Sequence, residues 1–127
     1  MSLRSPLGRV RGLGSAKDGT GHWWAQRLSA IALIPLTLWF CASVISLSGA
    51  DYGAVAAWAG SPVVAGLLIL LIAATFYHAY LGLQVVIEDY VHRELVKIAG
   101  LLLAKAAAIV LGLTGILSVL LLLFGQA

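Results

Sequence analysis

Charge is scarce in this chain, and cysteine nearly absent. Only 10% of the 127 residues are charged, five acids and eight bases, against 61% hydrophobic, and the mean hydropathy is +1.02. That balance excludes a small soluble domain, whose polar residues would be too few to cover so apolar an interior. The chain must face lipid. The single cysteine, Cys41, excludes an internal disulfide and a cysteine-rich metal cluster; it lies in an apolar run and reads as packing. The shortage of acids leaves a net charge of +3, but the bases stand at the ends of apolar runs rather than in an aromatic-laced patch. No nucleic-acid partner is therefore expected. The bases report orientation in a bilayer instead.

Residues 1 to 21 hold Arg4, Arg9, Arg11 and Lys17 among Gly, Ser and Pro, with no apolar period. They read as a basic, flexible N-terminal tail. The tail lacks the apolar stretch of a secretory signal, although its Arg and Ser content with one acid, Asp18, also resembles an organelle transit peptide. Residues 22 to 127 read as a three-helix transmembrane anchor domain. The first span covers about 28 to 47, twenty residues without a charge, opened by His22, Trp23, Trp24, Gln26 and Arg27. The tryptophans suit an interfacial belt and Arg27 the cytoplasmic edge, where a long cation can snorkel. Pro35 is expected to kink this helix. Residues 48 to 62 predict a short loop with an interfacial turn around Trp58, and the second span covers about 63 to 87. Residues 88 to 97 carry most of the remaining charge, and the third span covers about 106 to 124. Lys105 either marks the edge of that span, the reading favoured by the long apolar run after it, or lies inside a helix that begins near Glu94. Gly112 and Gly115, with Ala106 to Ala108, would let the third helix approach a neighbour closely.

Five Lys and Arg precede the first span, none lies in the first loop, two lie in the second loop, one is Lys105, and none follows the third span. The positive-inside rule then predicts an all-α membrane protein of three transmembrane helices with a cytoplasmic N-terminus and a periplasmic C-terminus.

The stretch YHAYLGLQVVIEDY, residues 77 to 90, carries a histidine inside an apolar run and ends in an acidic, aromatic edge. On a helix, His78, Gly82, Val85 and Asp89 share one stripe, because eleven residues at about 100° each return to nearly the same direction. The rise of about 1.5 Å per residue puts Asp89 roughly 16 Å from His78, half of a hydrocarbon core about 30 Å thick. If Asp89 marks the water boundary, His78 lies near the midplane, where an ionisable side chain must face protein, cofactor or water. One reading of His78 is structural, a neutral imidazole hydrogen-bonded to a hydroxyl or carbonyl of a neighbouring helix. The other is ligation: Ala74 and Gly82, one turn to either side, are small enough for a flat macrocycle to approach while a neutral ring nitrogen binds its iron. With one such histidine in the chain, a second axial ligand would come from another chain.

HAYLGLQVVIEDY, together with HWWAQRLSA at the opening of the first span and the three-span plan, resembles the hydrophobic membrane anchor subunit of succinate dehydrogenase (respiratory complex II) in its small, cytochrome b-containing form. The resemblance covers residues 22 to 127. It implies that His78 is an axial ligand of a haem b shared with a sister cytochrome b anchor subunit, which supplies the other histidine. It implies that Tyr90 hydrogen-bonds the head group of ubiquinone at the cytoplasmic boundary beside Asp89, and that Arg27 lies near the haem propionates or the quinone site. The chain would dock the flavoprotein and iron–sulfur subunits in the bacterial cytoplasmic (inner) membrane, with the mitochondrial inner membrane the lesser alternative, and would not itself oxidise succinate. His92 and Arg93 depart from the family's pattern and receive no role. Two alternatives stand beside this reading: an anchor of quinol:fumarate reductase, and a non-redox assembly or transporter subunit in which His78 only packs.

The charge count generates a test of orientation. In a Cys41→Ala background, single cysteines at Ser48 and Gln126 are expected to react with an impermeant thiol reagent added from the periplasmic side, and one at Ser15 is not. Labelling at Ser15 alone would invert the topology.

Overall fold

The computed structural model describes residues 5 to 10 and 19 to 125. Arg4, Arg11, Lys17 and Asp18 of the expected tail, and Gln126 at the other end, lie outside the described residues. Every regular element among the described residues is helical: α1 (Pro6–Val10), α2 (Gly19–Ser46), α3 (Tyr52–Ala59), α4 (Pro62–Tyr90) and α5 (Glu94–Phe124). Three of them, α2, α4 and α5, are long and apolar enough to cross a membrane, at 28, 29 and 31 residues. At about 1.5 Å per residue they measure roughly 42 to 47 Å, more than the hydrocarbon core requires.

Each long helix therefore outruns the apolar segment expected from the sequence. Hydrophobicity marks what lipid touches, whereas the backbone keeps its i to i−4 bonds into the interfacial turns. At the start of α2 the extension takes in His22, Trp23, Trp24, Gln26 and Arg27. At the other junction it leaves only residues 91 to 93 outside helix, so Glu88, Asp89 and Tyr90 form the last turn of α4 rather than a loop. Gln84 Nε2 donates to Glu88 Oε1 across one turn of that end, at 3.0 Å. Pro35 is accommodated inside a continuous α2.

The first loop contains more structure than its composition suggested. Gly49, at φ +82°, supplies the left-handed residue after α2, a conformation open to glycine at little cost. The Asp51 carboxylate accepts from the Ala54 amide at 2.8 Å and caps α3. Trp58 on α3 stacks on Trp39 of α2, centroids 5.9 Å apart. Pro62 then starts α4 at a position where its missing N–H costs nothing.

α4 is the central helix. It packs against both α2 and α5, whose backbones do not come together among the described residues. The buried core, Ala59, Ala65, Leu68 and Val119 with Trp39, Trp58 and Ile72 against it, sits at the α3 end. Hydroxyls within the helices bond back to their own turns, Ser43 to Trp39, Thr114 to Val110 and Ser118 to Thr114, which spares lipid a bare polar group. Cys41, expected to pack, is exposed on α2.

The glycines of α5 set its register on α4. A Cβ at Gly100 would meet Ile87 at 3.6 Å, one at Gly112 would meet Phe76 at 3.6 Å, and one at Gly115 would meet Ile72 at 3.3 Å. This antiparallel register puts Lys105 level with Gly82 and Leu83, about 10 Å inside the level of Asp89 at 1.5 Å per residue. Asp89 and Lys105 therefore cannot both mark one membrane edge, and the helix that carries Lys105 begins at Glu94. A leucine at Gly115 would overpack this seam, at a cost of about 1 to 3 kcal/mol. Gly115→Leu is expected to lower the unfolding temperature of the detergent-solubilised protein, and adding Ile72→Ala to recover part of the loss. Thermal scanning of the two variants checks it.

Candidate functional site

The end of the bundle away from the buried core brings the start of α2 against the second half of α4. Gln26 and Ser29 are three residues apart and His22 and Gln26 four, so all three lie on one side of α2. That side faces α4: Ser29 Oγ lies 2.8 Å from His78 Nδ1, and a Cβ at Gly82 would meet Gln26 Nε2 at 3.7 Å. Ser29, 8% exposed, is the one buried polar residue among those described. Its hydroxyl also donates to the Gln26 carbonyl at 3.0 Å. The structural reading of His78 thus holds for one ring nitrogen. Nε2 takes part in no hydrogen bond among the described residues, so ligation through that atom is left open.

One turn along α4 from His78, Gly82 and Val85 join Gly19, His22, Trp23, Gln26 and Arg27 around a pocket of about 480 Å³. Arg27, exposed, is held over the Trp23 ring with its guanidinium carbon 5.0 Å from the ring centroid, a cation–π contact that fixes a long side chain at the rim. Trp23 packs edge-on against Trp24, centroids 5.0 Å apart. Two buried polar atoms at this pocket, His22 Nε2 and Gln26 Oε1, have no hydrogen-bond partner among the described residues. Native interiors seldom leave such atoms unpaired.

The fold gathers some of the expected site residues and not others. His78 and Gly82 meet α2 beside Arg27, and Ala74 is half-buried one turn before His78. Asp89 and Tyr90 are exposed on the last turn of α4 and do not line the pocket, Tyr90 being 77% exposed. The Tyr90 carbonyl accepts from His92 Nδ1 at 2.9 Å, a bond that turns the chain out of α4. Among the described residues no three His, Cys, Asp or Glu side chains converge. His22, Gln26 and Ser29 all lie in HWWAQRLSA at the opening of the first span, but the sequence alone assigns none of the three a role. The available signal was a serine in an apolar run, two residues after Arg27, on the side of α2 that carries the polar positions.

Comparison with known proteins fits this arrangement. The family model described as succinate dehydrogenase/fumarate reductase transmembrane subunit matches residues 1–124. A succinate dehydrogenase hydrophobic membrane anchor subunit of Rickettsia bellii is 34% identical over 89 residues, 70% of this chain and 71% of the relative. The protein of the same name from Paracoccus denitrificans is 34% identical over 90 residues, 71% and 70% of the two chains. A succinate dehydrogenase membrane anchor subunit of Reclinomonas americana is 30% identical over 96 residues, 73% of this chain and 80% of that one. No solved structure matches. With three membrane-crossing helices and nearly its whole length inside the family match, the chain belongs to the transmembrane subunits of succinate dehydrogenase and fumarate reductase, among the hydrophobic membrane anchors of succinate dehydrogenase.

Proposed function

We propose that this membrane anchor would hold a b-type haem through His78 Nε2, that a sister anchor subunit would supply a second ligand, and that Tyr90 and Asp89 contribute to a ubiquinone reduction site. The observation that carries the reading is that His78 is tied by one nitrogen only among the described residues, one turn from a pocket where His22 Nε2 and Gln26 Oε1 have no partner among those residues. A neutral imidazole held through Nδ1 is the form that ligates iron. Gly82 supports the fit, since a Cβ there would project toward the pocket that Gln26 lines. Arg27 brings a cation to the rim, suited to a propionate or a quinone oxygen. When bound, a b-type haem supplies a one-electron carrier in the membrane.

The residues at the end of α4 do different work. The Tyr90 hydroxyl donates to a quinone carbonyl, and Asp89 beside it holds or passes a proton where water is partly excluded. The flavoprotein and iron–sulfur subunits dock on this side, which is the cytoplasmic side of a bacterial inner membrane when the lysine and arginine bias sets the orientation. The two relatives from Rickettsia bellii and Paracoccus denitrificans, both bacteria, support that location. The relatives' names favour succinate oxidation over fumarate reduction.

In the assembled complex, His78→Ala is expected to abolish a six-coordinate, low-spin b-type spectrum or the haem itself, and Gly82→Leu to lower haem occupancy by filling the approach to the helix. An unaltered low-spin spectrum in His78→Ala assigns the ligand elsewhere. Tyr90→Phe keeps the ring and removes one hydrogen bond. It is expected to retain haem and electron transfer from succinate to a soluble artificial acceptor while reducing ubiquinone about tenfold more slowly, since about 1.4 kcal/mol is a factor of ten. Quinone reduction at the native rate would leave Tyr90 an interfacial tyrosine.

A further inference from the structure

The hydroxyl of Ser29 stands between two groups and has one proton to give. Its oxygen lies 3.0 Å from the Gln26 carbonyl oxygen and 2.8 Å from His78 Nδ1. A carbonyl only accepts, so that contact is a bond only when the serine proton points at it. Both contacts are then satisfied in one arrangement: Ser29 donates to Gln26, and His78 donates from Nδ1–H to Ser29. The opposite arrangement, serine donating to Nδ1, leaves the 3.0 Å approach to the carbonyl without a proton and moves the imidazole proton to Nε2.

From this proton count we infer that Ser29 is a positioning residue for His78: with Gln26 it fixes the imidazole as the Nδ1–H tautomer, keeps the Nε2 lone pair bare, and locks the ring plane against α4. The inference rests on the haem reading of His78 and deepens it. Three features support a dedicated role over a passing contact. Ser29 is buried where the other helix hydroxyls with hydrogen bonds, on Ser43, Ser46, Thr114 and Ser118, bond only within their own helix. Its bond to His78 is the one side-chain hydrogen bond between two helices among the described residues. The acceptor is preset as well, because donation to Gln26, one turn back on α2, orients the oxygen lone pairs toward α4. Donation from Nδ1–H makes the opposite nitrogen more basic, as outer partners of metal-bound histidines do. A more basic ligand favours ferric iron, so Ser29 would lower the potential of a haem held at His78.

The test uses the assembled complex in mild detergent, with haem-to-flavin ratio, the low-spin ferric electron paramagnetic resonance signal and a reductive titration of the haem as readouts. Ser29→Ala is expected to raise the haem midpoint potential, shifting the ferric-to-ferrous ratio at a fixed potential by about threefold, a scale set by one neutral hydrogen bond. It is also expected to shift the low-spin signal and to weaken haem retention about tenfold. Ser29→Thr, which keeps the hydroxyl, restores all three. Native potential, signal and retention in Ser29→Ala, beside loss of haem in His78→Ala, overturns the role of Ser29 and leaves the haem reading standing. A shift in Ser29→Thr as large as in Ser29→Ala also overturns it, because volume rather than the bond is then responsible. A native low-spin spectrum in His78→Ala removes the haem reading and the inference with it. If Ser29→Ala does not assemble, Ser29→Cys, a far weaker acceptor of similar size, is read by the same criteria.

Discussion

The contact between Ser29 and His78 is the pivot of the molecule's functional end. A spanning helix satisfies its own backbone, so neighbouring helices in a membrane are joined by packing and by few polar side chains. Here one hydroxyl and one imidazole make that join between α2 and α4. Beside it lie Gln26 against Gly82, the pocket that His22 and Arg27 share, and a His78 Nε2 that takes part in no hydrogen bond among the described residues. Elsewhere α2 presents chiefly exposed apolar side chains and Cys41 outward. Those surfaces suit acyl chains or the flank of a sister subunit equally.

The two long seams are built by different means. Between α4 and α5, glycines at 100, 112 and 115 receive Ile87, Phe76 and Ile72, and register comes from shape alone. Between α2 and α4 the near end is tied by hydrogen bonding, while toward the far end α2 is held through Trp39 stacked on Trp58 of α3. Shape-based packing fixes depth, which is why Lys105 falls about two turns inside the level of Asp89. There it borders an apolar groove with Tyr77, Tyr80 and Gly112.

Much of this was legible in the chain. Charge-free runs of about twenty residues located the three long helices, because lipid imposes length and polarity together. The stripe from His78 to Asp89 followed from helical periodicity, and α4 indeed carries both on one continuous helix. The capped α3 was not legible, since its signals, Gly49 and Asp51, are equally those of a plain turn. The limits of the long helices escaped because hydropathy stops where lipid stops and the backbone does not. Ser29 escaped for another reason: a lone hydroxyl in an apolar run usually bonds its own preceding turn, and only the tertiary pairing of α2 with α4 reveals that this one is shared.

The core's position has a consequence for biogenesis. Burial concentrates at the α3 end, around Ala65 and the stacked tryptophans, while at the histidine end α2 meets α4 through one interhelical hydrogen bond, and His22 Nε2 and Gln26 Oε1 have no partner among the described residues. A freshly inserted chain can thus close one end alone, like a clothes peg with its spring at the tryptophans. Unassembled copies would then display an unfinished cleft at the membrane boundary, lined by His22, Gln26 and Arg27, a mark by which membrane proteases could tell orphan subunits from finished ones.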